Sequence, residues 1–237
     1  MSKKILIIIP CYNEGNSIPL ILEQLLQLKL PYNYQMEIAV VNDCSTDDTK
    51  MVAGLYPVVL LDLLVNLGIG GAVQTGFLYA QQNGFDIAVQ LDGDGQHPPA
   101  ELHKLIEQHQ KTGANVVIGS RFLDGGGFKS SFARRIGIRY FHWLNRILTG
   151  KSIYDSTSGF RLFDRKAIDI ACAKYPDEYP EPASLVLFSK AGLSIEEVPV
   201  IMRERQAGKS SISNFSSIYY CVKVTISMLF IFIRKPY

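Results

Sequence analysis

Neither sign of charge dominates this sequence. Its 24 Lys and Arg offset 22 Asp and Glu to a net charge of +2, and only 19% of residues are charged. A nucleic-acid binder that works through phosphate contacts would be far more basic, so nucleic acid is not an expected partner. With 47% hydrophobic residues, a disordered, solvated chain is excluded as well. Cysteine is scarce. Cys11, Cys44, Cys172 and Cys221 form no CxxC pair and stand at no zinc spacing with His. Reduced, buried thiols of a cytoplasmic protein are the expectation. Long apolar runs are missing too. Residues 5–9 stop at Pro10 after five apolar positions, short of the roughly 7–15 of a secretory signal core. Residues 224–233 are ten positions without charge, against about 20 needed to cross a bilayer. No internal repeat is present.

What is there is alternation. Residues 5–9 are an apolar, mostly β-branched run, the pattern of a strand buried on both faces. Residues 19–30 carry apolar positions near helical spacing, with Ser17 as the expected cap. Strands at 36–41, 58–64, 86–91 and 115–119 alternate with helices at 45–53, 70–83 and 101–110. Such β-α-β-α order predicts an α/β fold with a mostly parallel sheet. Residues 132–148 read as a basic amphipathic helix, with Arg134, Arg135, Arg139 and Arg146 among apolar residues. A loop at 155–160, helices near 165–174 and up to Lys190, and a strand near 195–202 follow. A Ser-rich joint at 208–214 leads to an apolar tail.

The strongest local signal is Val89-Gln90-Leu91-Asp92-Gly93-Asp94-Gly95-Gln96-His97-Pro98-Pro99. An apolar strand ends in two carboxylates one residue apart. In open α/β sheets ligands bind beyond the carboxyl ends of strands, and two hard oxygen donors there suit Mg²⁺ or Mn²⁺. Gln96 offers a further carbonyl ligand and His97 a weaker candidate. Read alone, the segment is also an ordinary Asp-Gly turn. Strand 5–9 leads into Cys11-Tyr12-Asn13-Glu14, where Tyr12 presents a flat face for a base and Glu14 an acceptor. Asp43 closes the second strand. Asn66-Leu67-Gly68-Ile69-Gly70-Gly71 is no P-loop, since no Gly-Lys-Ser follows, and it does not follow the first strand as a dinucleotide fingerprint must.

Six motifs in one order make a resemblance. They are Ile9-Pro10-Cys11-Tyr12-Asn13-Glu14, Val41-Asn42-Asp43-Cys44-Ser45-Thr46-Asp47, Asn66-Leu67-Gly68, Asp92-Gly93-Asp94-Gly95-Gln96-His97-Pro98-Pro99, Gly119-Ser120-Arg121-Phe122 and Asp155-Ser156-Thr157-Ser158-Gly159-Phe160-Arg161. The chain resembles the family-2 inverting glycosyltransferases of GT-A fold, in the branch of dolichyl- and polyprenyl-phosphate sugar synthases and their bacterial relatives. The resemblance implies a nucleotide-diphosphate sugar donor. Pro10, Tyr12, Glu14, Asp43 and Asp92 would hold the nucleotide, and Asp92, Asp94 and Gln96 a Mg²⁺ or Mn²⁺ on its diphosphate. Arg121 would meet a phosphate, and Asp155 stands where many members keep a catalytic or acceptor-orienting acid. The chain departs from better-known lipid-phosphate enzymes at Ile69 and at Tyr179-Pro180-Glu181-Pro182.

Two acceptors stay open at this point. A sugar hydroxyl needs a base, for which Asp155 is the candidate. A lipid phosphate needs cations, which Arg121, Arg134, Arg135 and Arg139 would supply. The expected division is a catalytic domain over 1–207 and a membrane-associated or oligomerising tail over 208–237. The leading expectation is transfer to a polyprenyl-linked acceptor, in cell-surface glycan biosynthesis, by a peripheral protein of the inner membrane face. Transfer to a soluble glycan and a non-catalytic sugar-nucleotide scaffold are the alternatives. A nucleotidylyltransferase is disfavoured, because no Gly-rich Arg/Lys signature follows the first strand.

Overall fold

The computed structural model describes residues 2–31, 34–123, 132–177, 179–203 and 214–234, except for the side chains of 132–136 and 214–218. One seven-stranded sheet organises them, in the order β3-β2-β1-β4-β6-β5-β7. The strands are β1 Lys3–Cys11, β2 Tyr34–Asn42, β3 Val59–Asp62, β4 Ile87–Gln90, β5 Val116–Ser120, β6 Arg161–Asp164 and β7 Ile195–Pro199. β1 pairs in parallel with β2 and β4, β2 with β3, and β5 with β7. Only β6 runs antiparallel, between β4 and β5. The expected mostly parallel sheet flanked by helices is therefore present, with one reversal.

The reversal matters for function. A parallel strand presents its C-terminal loop at the ligand-binding edge; an antiparallel neighbour presents its N-terminal loop there. Arg161, at the start of β6, lies opposite Gln90, at the end of β4. The 155–160 loop thereby joins the loops that follow β1, β2 and β4. Sequence periodicity gave no strand here, because β6 is only four residues long and begins with a charged side chain.

Alternate strand positions feed two cores. Ile5, Ile7 and Ile9 face α1 (Ile18–Gln27) and α4 (Leu102–Thr112), while Leu6 and Ile8 face α3 (Gly68–Gln82) and α6 (Arg165–Lys174). A third cluster joins α5 (Phe132–Thr149), α7 (Pro180–Lys190) and α8 (Asn214–Ile233) through Phe141, Leu144, Ala183, Val186, Val224 and Met228. Helix α8 is thus packed on α7, and the Lys190 ammonium, at the end of α7, donates to the carbonyls of Ile231 and Phe232, near the end of α8.

Two local expectations are corrected. Ser17 precedes α1 but makes no capping bond. Its hydroxyl is taken by Glu14 Oε2 and the Gly93 carbonyl, each at 2.7 Å. Helix α2 begins at Thr49, not Ser45, because residues 45–47 are used to hold the β1 loop. Gly70, in the first turn of α3, has a packing reason. A Cβ on Gly70 would sit 2.0 Å from the Asp177 carbonyl oxygen and 2.3 Å from that of Pro176. Gly70→Ala is expected to cost about 2 kcal/mol through this overpacking, seen as a lower urea midpoint. An unchanged midpoint would refute the packing reason.

Candidate active site

Two loops at the strand ends are laced together. The Asn13 amide donates to Ser45 Oγ at 3.0 Å, Glu14 N to Thr49 Oγ1 at 2.8 Å and Gly15 N to Asp47 Oδ2 at 3.1 Å. In return, Asn13 Oδ1 accepts from the Thr46 amide at 2.8 Å. Asn13 and Cys44 both take left-handed backbone conformations, with φ of 57° and 56°, which turn the two loops toward each other. Tyr12 stands out from this platform, 51% exposed. Pro10, near the end of β1, is buried. Asp43 is buried, and its Oδ1 accepts the Leu67 amide at 2.7 Å. That bond fixes the Asn66–Gly68 turn beside the platform.

Beyond β4, the main chain of residues 92–97 folds into a tight turn, with Gly95 at φ 75°. Asp94 is buried, and its Oδ1 accepts the Gln96 amide at 3.0 Å. The Gln96 carbonyl accepts the Arg203 amide at 2.9 Å, so the chain leaving β7 braces this turn. Asp92 keeps 32% of its side chain open, yet protein encloses it. Burial raises its pKa, and the Asp94 charge adds to the rise against His97 and Arg121. Gly159 makes room for it: a Cβ there would lie 2.6 and 2.7 Å from the two Asp92 carboxylate oxygens.

Arg121 and Asp155 form the second half of the site. The Arg121 Nε and Nη2 each reach an Asp155 carboxylate oxygen at 2.6 Å, in a two-pronged pair. The Arg121 amide adds a third bond at 3.0 Å, and Nη2 also reaches Thr157 Oγ1 at 2.8 Å. Burial alone would raise the Asp155 pKa, but the bonds and charge of Arg121 outweigh it, and the carboxyl ends below its usual range. Burial likewise opposes the Arg121 charge, and Asp155 raises its pKa in spite of it. The pair lies within electrostatic reach of Asp92.

The sequence motifs include Arg161 but give no role to it or to the other residues that bolt this loop in place. Arg161 is completely buried, with no carboxylate partner among the described residues. Its guanidinium donates to the carbonyls of Ser158, Ser156 and Glu181 at 2.7, 2.8 and 2.8 Å and to Ser184 Oγ at 3.0 Å. It thus joins the 155–160 loop to the start of α7. Glu181, in that first turn, carries a carboxyl whose pKa is raised by burial and lies within reach of Asp92 and Arg121. Tyr220 of α8 stands edge-on to Tyr179 at 4.6 Å and is in the same electrostatic neighbourhood. Arg134 and Arg135 fall on α5, but their side chains lie outside the described residues.

The donor set suits a hard divalent cation. Asp92 and Asp94 supply carboxylate oxygens, Gln96 an amide oxygen, and the Gly159 backbone leaves the Asp92 carboxylate uncrowded. Among the described residues, no three His, Cys, Asp or Glu side chains converge on one point. These few protein donors would leave the remaining positions to donor phosphates and water.

The chain is 30% identical to the polyprenol monophosphomannose synthase of Mycolicibacterium smegmatis, over 90% of this chain and 82% of that protein. It is 32% identical to the undecaprenyl-phosphate mannosyltransferase of Micrococcus luteus, over 89% and 88%. A UDP-N-acetylglucosamine–dolichyl-phosphate N-acetylglucosaminyltransferase of Methanococcus voltae is 31% identical, over 84% and 85%. Glucosyl-3-phosphoglycerate synthase of Mycobacterium tuberculosis, solved with Mn²⁺, UDP-glucose and phosphoglyceric acid, superposes with a TM-score of 0.75 at 17% identity, over 98% of this chain and 81% of that one. It shares the fold. The sequence profile of glycosyl transferase family 2 matches residues 6–170, a span that holds the laced strand-end loops, the Asp92–Asp94 turn and the Arg121–Asp155 pair. The chain belongs to that family and is a glycosyltransferase.

Proposed function

We propose that this enzyme transfers a sugar, with inversion, from a nucleoside-diphosphate donor to a polyprenyl-linked phosphate at the cytoplasmic surface of a membrane. The observation that carries the choice of acceptor is the Arg121–Asp155 pair. Both Asp155 oxygens already accept hydrogen bonds from Arg121, and its pKa is lowered, so it is a poor base for a sugar hydroxyl. A phosphate oxygen is already ionised and needs no base. The lipid-phosphate names of the relatives support the same reading.

In this reading Tyr12 stacks on the base, and Pro10, Glu14 and Asp43 border the nucleoside. Asp92, Asp94 and Gln96 hold a Mg²⁺ or Mn²⁺, which when bound stabilises the negative charge of the departing diphosphate. The Mn²⁺ in the Mycobacterium tuberculosis enzyme is in keeping with this. Arg121, made rigid by Asp155, faces a phosphate with a fixed guanidinium, and Arg134 and Arg135 add charge for the acceptor headgroup. An acceptor oxygen attacks the anomeric carbon as the bond to the nucleoside diphosphate breaks, in a single in-line displacement.

The tail over 208–237 is the proposed membrane contact. Among the described residues no helix is long and apolar enough to cross a membrane. Helix α8 instead exposes Tyr219, Val222, Ile226, Phe230 and Ile233 at near-helical spacing, the geometry of a helix lying in the interface. A homo-oligomer is the other use of this stripe. One observation favours a hydroxyl acceptor, on a soluble or lipid-linked glycan: Glu181 is a carboxyl with a pKa raised by burial, within electrostatic reach of Asp92 and Arg121.

The test is transfer of labelled sugar from a panel of UDP- and GDP-sugars to polyprenyl phosphate in phospholipid vesicles. The expected result is a lipid-extractable product that requires Mn²⁺ or Mg²⁺. Efficient transfer to a water-soluble oligosaccharide, with none to the lipid, would overturn the reading.

A further inference from the structure

His97 is a deeply buried titratable group of the site that the proposed chemistry leaves unused. Its side chain is 2% exposed, and its Nδ1 lies 3.6 Å from Asp92 Oδ2. Neither ring nitrogen has a hydrogen-bond partner among the described residues. The ring stacks on Phe160, with centroids 5.2 Å apart and planes 20° from parallel. Stacking alone would be served better by a phenyl ring, since buried polar atoms without partners cost stability. Phe160 follows Gly159, at which a Cβ would lie 2.6 and 2.7 Å from the two Asp92 carboxylate oxygens. Asp92 therefore has both the His97 ring and the Gly159 main chain as close neighbours. Gln90, at the end of the strand that leads to Asp92, turns its side-chain amide toward the same carboxylate and lowers its pKa.

Resting on the reading that Asp92 holds the divalent ion, we infer that His97 is a positioning residue, whose ring N–H takes one carboxylate oxygen of Asp92 and leaves the other turned to the metal. A neutral imidazole has one N–H to give. The 3.6 Å separation exceeds a hydrogen bond, and a small rotation of Asp92 toward His97 closes it. Partners that orient a metal ligand typically change affinity 10–100-fold when removed. The sequence alone offered His97 as a ligand; the stacking and the Asp92 contact place it behind the ligand instead.

The experiment compares full-length wild type, His97→Phe, His97→Asn and Asp92→Asn. Binding of Mn²⁺, alone and with UDP or GDP, is read by electron paramagnetic resonance, and thermal melting is read in EDTA. His97→Phe is expected to melt at or above wild type without metal, because it removes two unmet nitrogens and keeps the stack. It is expected to bind Mn²⁺ at least about tenfold more weakly. His97→Asn, which restores an N–H near the Nδ1 position, is expected to recover to within about threefold of wild type. Wild-type Mn²⁺ affinity in the Phe variant would overturn the inference, and so would an Asn variant as weak as Phe. If the Phe ring prevents folding, His97→Leu takes its place with the same expectation for Mn²⁺. Asp92→Asn with undiminished Mn²⁺ binding would remove the metal reading itself, so the two failures are told apart.

Discussion

Asp94→Asn is expected to lower sugar transfer by about three orders of magnitude while leaving the fold intact, a loss of about 4 kcal/mol in transition-state stabilisation. Asp94 Oδ1 accepts the Gln96 amide, and an asparagine oxygen can accept it equally. The turn therefore survives. What disappears is one of two negative charges on the proposed metal. The variant also relieves repulsion, since the Asp94 charge helps to raise the pKa of Asp92. A carboxyl whose pKa is raised by folding destabilises the folded chain above the ordinary carboxylate range, and removing the repulsion reverses part of that cost. The metal-free variant is accordingly expected to melt no lower than wild type at pH 7. EDTA should reproduce the activity loss in the wild-type protein, and added Mn²⁺ should restore it there but not in the variant. Full transfer by Asp94→Asn, or by wild type in EDTA, would defeat the assignment.

The strand ends were legible for a simple reason. Ile5 to Ile9 and the strand ending at Gln90 are apolar runs that stop at polar residues, and in a parallel sheet those stops lie on one edge. Tyr12, Asp43, Asp92 and Asp94 are consequently placed on that edge by pattern alone. The roles of individual side chains were less legible where a hydrogen bond crosses long sequence separations. Ser17 has the residue type of a cap, but its hydroxyl is claimed by Glu14 and Gly93. Asp155 has the residue type of a base, but Arg121, 34 positions away, occupies its oxygens. Arg161 and Glu181 stand in segments that the sequence singled out, but without roles of their own, because Arg161 begins β6, a strand too short and too polar at its start to show a period, and Glu181 meets it only through α7. Gly159 looks like an ordinary loop glycine until the Asp92 carboxylate is found where its Cβ would be.

The Arg121–Asp155 pair should separate the two acceptors. Both side chains are buried, 5% and 0% exposed, so removing one partner strands the other charge and is expected to cost about 3–5 kcal/mol of stability. The folded-state pKa of Asp155 is lowered. Its contribution is thus complete above the unfolded value of about 3.9 and is lost as pH falls through the lower folded value. Wild type should lose this increment only in strong acid, and Asp155→Asn should lack it at every pH. Stability alone does not distinguish an anchor from a base, so activity is compared below both melting temperatures. If Arg121 grips phosphate, Arg121→Ala is expected to lower transfer to polyprenyl phosphate at least about 100-fold. Arg121→Lys should recover little, because an ammonium lacks the fork that engages both Asp155 and phosphate. Asp155→Asn keeps a carbonyl to accept one Arg121 N–H and leaves the guanidinium charged, so its loss should be nearer tenfold and fall mainly on the KM for lipid. A hydroxyl acceptor deprotonated by Asp155 requires the reverse: Asp155→Asn would then lower kcat more than Arg121→Ala does. That order, measured on the lipid acceptor, would return Asp155 to the role of base and defeat the phosphate reading.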